Sequence, residues 1–125
     1  MPAKTIPPNP KLDGVPIVDI GEQGFSRYVL CKVYDGNNPK DFQYIVRGST
    51  IARFHADIFD LVDAELEIHG LNCICVGGGK MEHLPEAGTI HVYGRSQGYG
   101  RADHSITTEL VRESYPHYNS ITWDD

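Results

Sequence analysis

Cysteine is scarce in this chain, with three in 125 residues, an odd number. That argues against a disulfide-stapled scaffold and fits a reducing, cytoplasmic setting. Long apolar runs are missing as well. The longest are far too short to span a bilayer, and no apolar stretch of signal-peptide character lies near Met1. Positive charge is in deficit: 11 Lys and Arg stand against 17 Asp and Glu, a formal net charge of −6. This balance disfavours general binding to nucleic acid or to an acidic membrane. No histidine pair has HExxH spacing, and Cys73-x-Cys75 is neither a C-x-x-C motif nor a zinc knuckle. The cysteines are expected to be small buried apolar groups, and neither a metal site nor any other cofactor is implied.

Internal repeats are absent, and bias is confined to Pro2, Pro7, Pro8 and Pro10. Residues 1–13 are therefore expected to form a flexible proline-rich tail, and residues 14–125 a single domain. Val15 to Ile20 is a short strand candidate, at a sheet edge because of Pro16. Phe25 to Tyr34 is the clearest strand, with Arg27, Val29, Cys31 and Val33 on one face. Asp35 to Pro39 is a turn, and Gln43 to Arg47 returns as a hairpin. A helix opens near Ser49-Thr50, carries a stripe of Phe54, Ile58, Leu61, Val62 and Leu66, and stops at Gly70. Asn72 to Val76 forms a strand that ends in the turn Gly77-Gly78-Gly79-Lys80. Thr89 to Tyr93 is another strand, Asp103 to Tyr115 a second helix, and Ile121 to Trp123 a last strand. The resulting order β-β-β-α-β-β-α-β predicts an α/β (α+β) fold, a mixed sheet of about six strands flanked by two helices. Nothing in it demands more than a monomer.

The chemistry concentrates in the glycine-rich stretch Gly94-Arg95-Ser96-Gln97-Gly98-Tyr99-Gly100-Arg101, between a strand and a helix. Glycines let the backbone turn tightly, so that free N–H groups can converge on an anion. Arg95, Ser96 and Arg101 supply further donors, and five cations (Arg27, Arg47, Lys80, Arg95, Arg101) fall near strand ends or glycine turns. His55 is the sharpest catalytic candidate, because a helix N-terminus favours neutral imidazole, which serves as base or nucleophile. The alternative for His55 is a structural histidine at the core edge. His104 sits where it could donate to a bound anion, His91 is expected to face a helix, and His69, His83 and His117 look exposed. Gly77-Gly78-Gly79-Lys80 fails the phosphate-loop pattern, since Met81 replaces the required Ser or Thr. Gly94-Arg95-Ser96-Gln97-Gly98 matches G-x-S-x-G, but the chain is short for an α/β-hydrolase and no ordered acid and histidine follow.

Several motifs then fall in a familiar order. They are Tyr28-Val29-Leu30, Ile45-Val46-Arg47-Gly48, Phe54-His55-Ala56-Asp57-Ile58-Phe59-Asp60, Cys73-x-Cys75-x-Gly77-Gly78-Gly79-Lys80 and Ile90-His91-Val92-Tyr93-Gly94-x-Ser96. Tyr99-Gly100, His104 and Tyr115-Pro116-x-Tyr118 follow. The set resembles the protein histidine phosphatase (Janus) family, from about residue 15 to Trp123. The resemblance implies a metal-independent hydrolase that removes phosphate from phosphohistidine-containing proteins, with His55 as the catalytic base. It implies phosphate contacts at Arg27, Lys80, Ser96, Gln97 and Gly98. Set against the vertebrate member that the chain resembles, which is expected to carry a lysine where Arg27 stands and an arginine where Lys80 stands, the two cations look exchanged. Two other readings of the same pocket are a phosphopeptide-binding module without turnover and a broader phosphoramidate phosphatase acting also on phospholysine.

Overall fold

The structure, a computed structural model, describes residues 9–125; the first part of the expected tail, residues 1–8, lies outside the described residues. From Asn9 the chain is anchored to the domain. Pro10–Leu12 form a 3-10 turn, and Asn9 and Lys11 both donate to the Asp35 carboxylate, at 2.9 and 3.0 Å.

Six strands follow: β1 (Val18–Asp19), β2 (Gly24–Tyr34), β3 (Phe42–Ser49), β4 (Asn72–Leu84), β5 (Thr89–Tyr93) and β6 (Ser120–Trp123). They make one mixed sheet in the order β1-β3-β2-β4-β5-β6. The two edge strands pair in parallel and the four central strands are antiparallel. Helices α1 (His55–Ile68) and α2 (His104–Ser114) complete the predicted order.

Strand alternation divides the core into two. On one face Val29, Cys31, Val33 and Ile45 pack against Ile58, Val62 and Leu66 of α1. On the other Tyr28, Leu30, Val46, Met81, Ile90 and Val92 pack against Val111 of α2 and Ile121 of β6. Every β2 residue from Tyr28 to Cys31 is buried, as expected for a central strand covered on both faces. Cys31 is fully buried, whereas Cys73 and Cys75 are only half-buried, and burial pushes the Cys73 thiol up to about 12.

Two expected boundaries are corrected. Ser49-Thr50 does not open a helix: the Ser49 hydroxyl accepts from the N–H groups of Ile51 and Ala52 in a local turn, and α1 starts at His55. Its start is set instead by Asp57, whose carboxylate accepts from the Phe54 N–H at 3.2 Å. Nor is Gly77-Gly78-Gly79-Lys80 a turn; it lies in the interior of β4, which runs on to Leu84. A bulge at Val76, where pairing to β2 shifts register between Leu30 and Cys31, lets the strand continue.

Candidate active site

The three glycines of β4 replace side chains with contact. A Cβ on Gly78 would lie 2.7 Å from the His55 ring and 3.0 Å from Ser96 Cβ; one on Gly79 would lie 2.6 Å from the His104 ring. A Cβ on Gly77 would strike the backbone of Ala102 at 2.6 Å. The bare strand thus admits an imidazole on each face and brings the loop after β5 down onto the sheet. The loop is tied there by Gly78 N–H to Gly100 O and Ala102 N–H to Gly78 O, each 3.0 Å.

His55, the first residue of α1, points its Nε2 at the Gly79 carbonyl, 2.9 Å away. A carbonyl oxygen only accepts, so Nε2 carries a proton, and in the neutral ring Nδ1 is the nitrogen with the lone pair. Beside it runs a row of cross-strand neighbours on the same sheet face: Ser49 on β3, Arg27 on β2, Lys80 on β4 and Tyr93 on β5. Helix α1 covers the middle of that face and leaves this row open. The Arg27 guanidinium is braced by the Ala52 carbonyl at 2.9 Å.

The third wall is the loop from Gly94 to Arg101. Ser96 and Gly100 exchange backbone hydrogen bonds of 3.1 and 3.0 Å, closing a small hairpin. Ser96 is 1% exposed, and its hydroxyl accepts from the Tyr99 N–H at 3.1 Å. The Ser96 N–H is therefore occupied within the loop. The Ser96 hydroxyl proton and the N–H groups of Gln97 and Gly98 meet no acceptor among the described residues. Together these elements bound a cleft of about 770 Å³ lined by Arg27, Arg53, His55, Lys80, Arg95 and the Ser96–Tyr99 loop.

The structure thus brings together His55, Arg27, Lys80, Ser96, Gln97 and Gly98. It separates others expected nearby. Arg47 is buried within the α1 face and holds Glu65 through two 3.0 Å hydrogen bonds. Arg101 turns to the Asp125 carboxylate and does not line the cleft. His104 faces the other side of the sheet, where its Nε2–H donates to the Gly94 carbonyl at 2.7 Å and its Nδ1 accepts from the Tyr28 hydroxyl at 2.6 Å. Burial pushes the Tyr28 phenol up and holds His104 below the usual histidine range, so both remain neutral partners. His104 is thus a brace for the loop and not an anion donor.

His83 is buried too, not exposed: its Nδ1–H donates to Gly21 O at 2.7 Å and its Nε2 accepts from Tyr118, against the Tyr115 ring. This accounts structurally for Tyr115-Pro116-x-Tyr118. His91 does not face a helix; it reaches β6 and the C-terminal end, bonding Thr122 and Asp124. Arg53 and Phe54 are cleft residues that sequence reasoning missed, and Phe54, expected in the buried stripe of α1, is exposed there. The signal for Arg53 was position alone, two residues before His55, on the loop entering the helix.

Fold and cleft together define a class of small α+β proteins in which a histidine at a helix start sits in a cationic cleft over a bare strand. Comparison with known proteins narrows this. The chain belongs to the Janus/Ocnus family, whose pattern matches residues 12–119. It is 45% identical over 115 residues to the 14 kDa phosphohistidine phosphatase of Sus scrofa, covering 89% of this chain and 90% of that protein. It is 41% identical over 113 residues to the 14 kDa phosphohistidine phosphatase of Homo sapiens (87% and 90%). It is 42% identical over 114 residues to the sex-regulated protein janus-A of Drosophila yakuba (91% and 83%).

Proposed function

We propose that this chain is a protein phosphohistidine phosphatase that needs no metal ion, with His55 as its general base. The observation that carries the reading is the fixed tautomer of His55. With Nε2–H held by Gly79 O, Nδ1 presents a lone pair beside a cleft walled by cations and loop N–H groups. Pure anion binding has no use for such a base, whereas hydrolysis does.

In the reaction, Arg27, Lys80, the Ser96 hydroxyl and the N–H groups of Gln97 and Gly98 hold the phosphoryl oxygens. His55 Nδ1 takes a proton from a water placed in line with the P–N bond. The water oxygen bonds to phosphorus, the P–N bond breaks, the leaving imidazole nitrogen takes a proton from solvent, and His55 returns the one it took to solvent. Phosphoryl transfer of this kind needs little beyond positioning and charge stabilisation. Preorganised donors supply about 10²–10³ in rate each. The three cysteines are free, which agrees with a reducing compartment; we place the protein in the cytoplasm, acting as a monomer.

The test is phosphate release from a phosphohistidine peptide in the presence of EDTA. Wild type should release phosphate, and His55→Ala should fall by at least about 10² while keeping its circular dichroism spectrum. Near-wild-type release by His55→Ala would remove His55 from its role. A requirement for added metal would contradict metal independence.

A further inference from the structure

The cleft carries more positive charge than one phosphoryl group can use. Of the six arginines in the chain, Arg47, Arg101 and Arg112 are in ion pairs, with Glu65, Asp125 and Glu109. The remaining three, Arg27, Arg53 and Arg95, all line the cleft, together with Lys80. None of those four cations is in an ion pair among the described residues. A phosphoryl group brings about −1.5 to −2 charges, which Arg27, Lys80 and the loop N–H groups already match. Arg53 and Arg95 are left over. Both are exposed, one on the α1 approach and the other on the β5–α2 loop, so they stand on two different walls.

Size points the same way. A cleft of about 770 Å³ is in the range that takes a drug-sized ligand, not a phosphoryl group alone. Phe54, 67% exposed beside Arg53, adds an apolar surface along which a peptide segment can lie. Of the nearby acids, Asp57 accepts from the Phe54 N–H, and neither it nor Asp60 forms an ion pair with any of the four cleft cations. The chain as a whole carries −6, so an acidic segment is repelled elsewhere and drawn here.

We infer that Arg53 and Arg95 form a subsite for acidic side chains flanking the phosphohistidine, so that the preferred substrates are acidic segments. This rests on the phosphatase reading and adds the class of substrate to it. The segment lies in the cleft with its phosphoryl group on Arg27 and Lys80, and its carboxylates on Arg53 and Arg95.

The test uses two short peptides with a central phosphohistidine, one flanked by Asp and the other by Asn. Turnover is measured on these, and binding on the same pair with a non-hydrolysable phosphoryl-triazole in place of the phosphohistidine. Two exposed ion pairs predict about a three- to tenfold preference for the Asp peptide in both kcat/KM and Kd. The preference should vanish in Arg53→Gln/Arg95→Gln and in about 1 M salt, where the Debye length is about 3 Å. Equal handling of the two peptides by wild type overturns the subsite and leaves the phosphatase reading intact. A preference that survives the double substitution overturns its assignment to these arginines. A binding preference without turnover of either peptide supports the subsite and refutes the phosphatase reading instead.

Discussion

Arginines that look alike in the sequence are separated by their neighbours. Arg27 and Arg47 are both strand residues on the α1 face, yet Arg47 is 5% exposed and fixed to Glu65, while Arg27 looks into the cleft. Removing one partner of a buried ion pair costs about 3–5 kcal/mol; Glu65 stays 31% exposed and can rehydrate, so about 2–3 kcal/mol is expected here. Arg47→Ala should therefore lower the urea midpoint strongly and leave KM on a phosphohistidine peptide close to wild type. Arg27→Ala should do the reverse, raising KM with little change in midpoint. A raised KM in Arg47→Ala at full folding would place that residue in the site after all. What could be read in the sequence at this scale followed local cues: His55 near a helix start, the strand face of Arg27, and the glycines of the loop; a phosphate-binding role for Arg27 came only from the family resemblance. The fates of His83 and His104 could not be read that way. Each is decided by partners far along the chain, Tyr118 and Gly21 for one, Tyr28 and Gly94 for the other.

At the scale of elements, the periodic segments were legible. Strand β2 alternates cleanly from Tyr28 to Val33, and α1 buries Ile58, Val62 and Leu66 of its expected stripe against the core, whereas Phe54 and Leu61 of that stripe are exposed. Strand β4 was cut short because a run of glycines reads as a turn when its surroundings are unknown. In the folded chain the same glycines are a strand interior stripped of side chains so that two imidazoles and a loop can approach. Gly78→Ala tests this. Its methyl group would stand 2.7 Å from His55 Cδ2 and 2.8 Å from the Tyr28 carbonyl, and the backbone atom cannot swing away. Overpacking of this sort costs about 1–3 kcal/mol, and a displacement of about 1 Å at the reacting group costs on the order of 10² in rate. We expect a folded, moderately destabilised variant with activity reduced by that order. Undiminished kcat would mean that His55 does not depend on contact with the bare strand.

Over the whole molecule, the sheet links its two faces through Gly79: its carbonyl holds His55, and the position its missing side chain vacates is filled by the His104 ring. His104 in turn ties Tyr28 on β2 to the Gly94 carbonyl, at the root of the cleft loop. This network requires a neutral imidazole, because Nδ1 must accept from Tyr28. Burial is the main reason that His104 is held below the usual histidine range, with the Gly94 hydrogen bond acting in the opposite sense. The sign follows: below about pH 6.5 the unfolded chain takes up the proton more readily than the folded one. The stabilisation is fully present above the unfolded value and is lost as pH falls through the folded value. One proton limits the slope to about 1.4 kcal/mol per pH unit. Urea unfolding of wild type between about pH 7.5 and pH 5.5 should therefore show stability falling with acidification. His104→Gln should be less stable at the upper pH, having lost the brace, and should fall less steeply. Parallel pH profiles for the two proteins would show that His104 is not the group coupling acidification to unfolding.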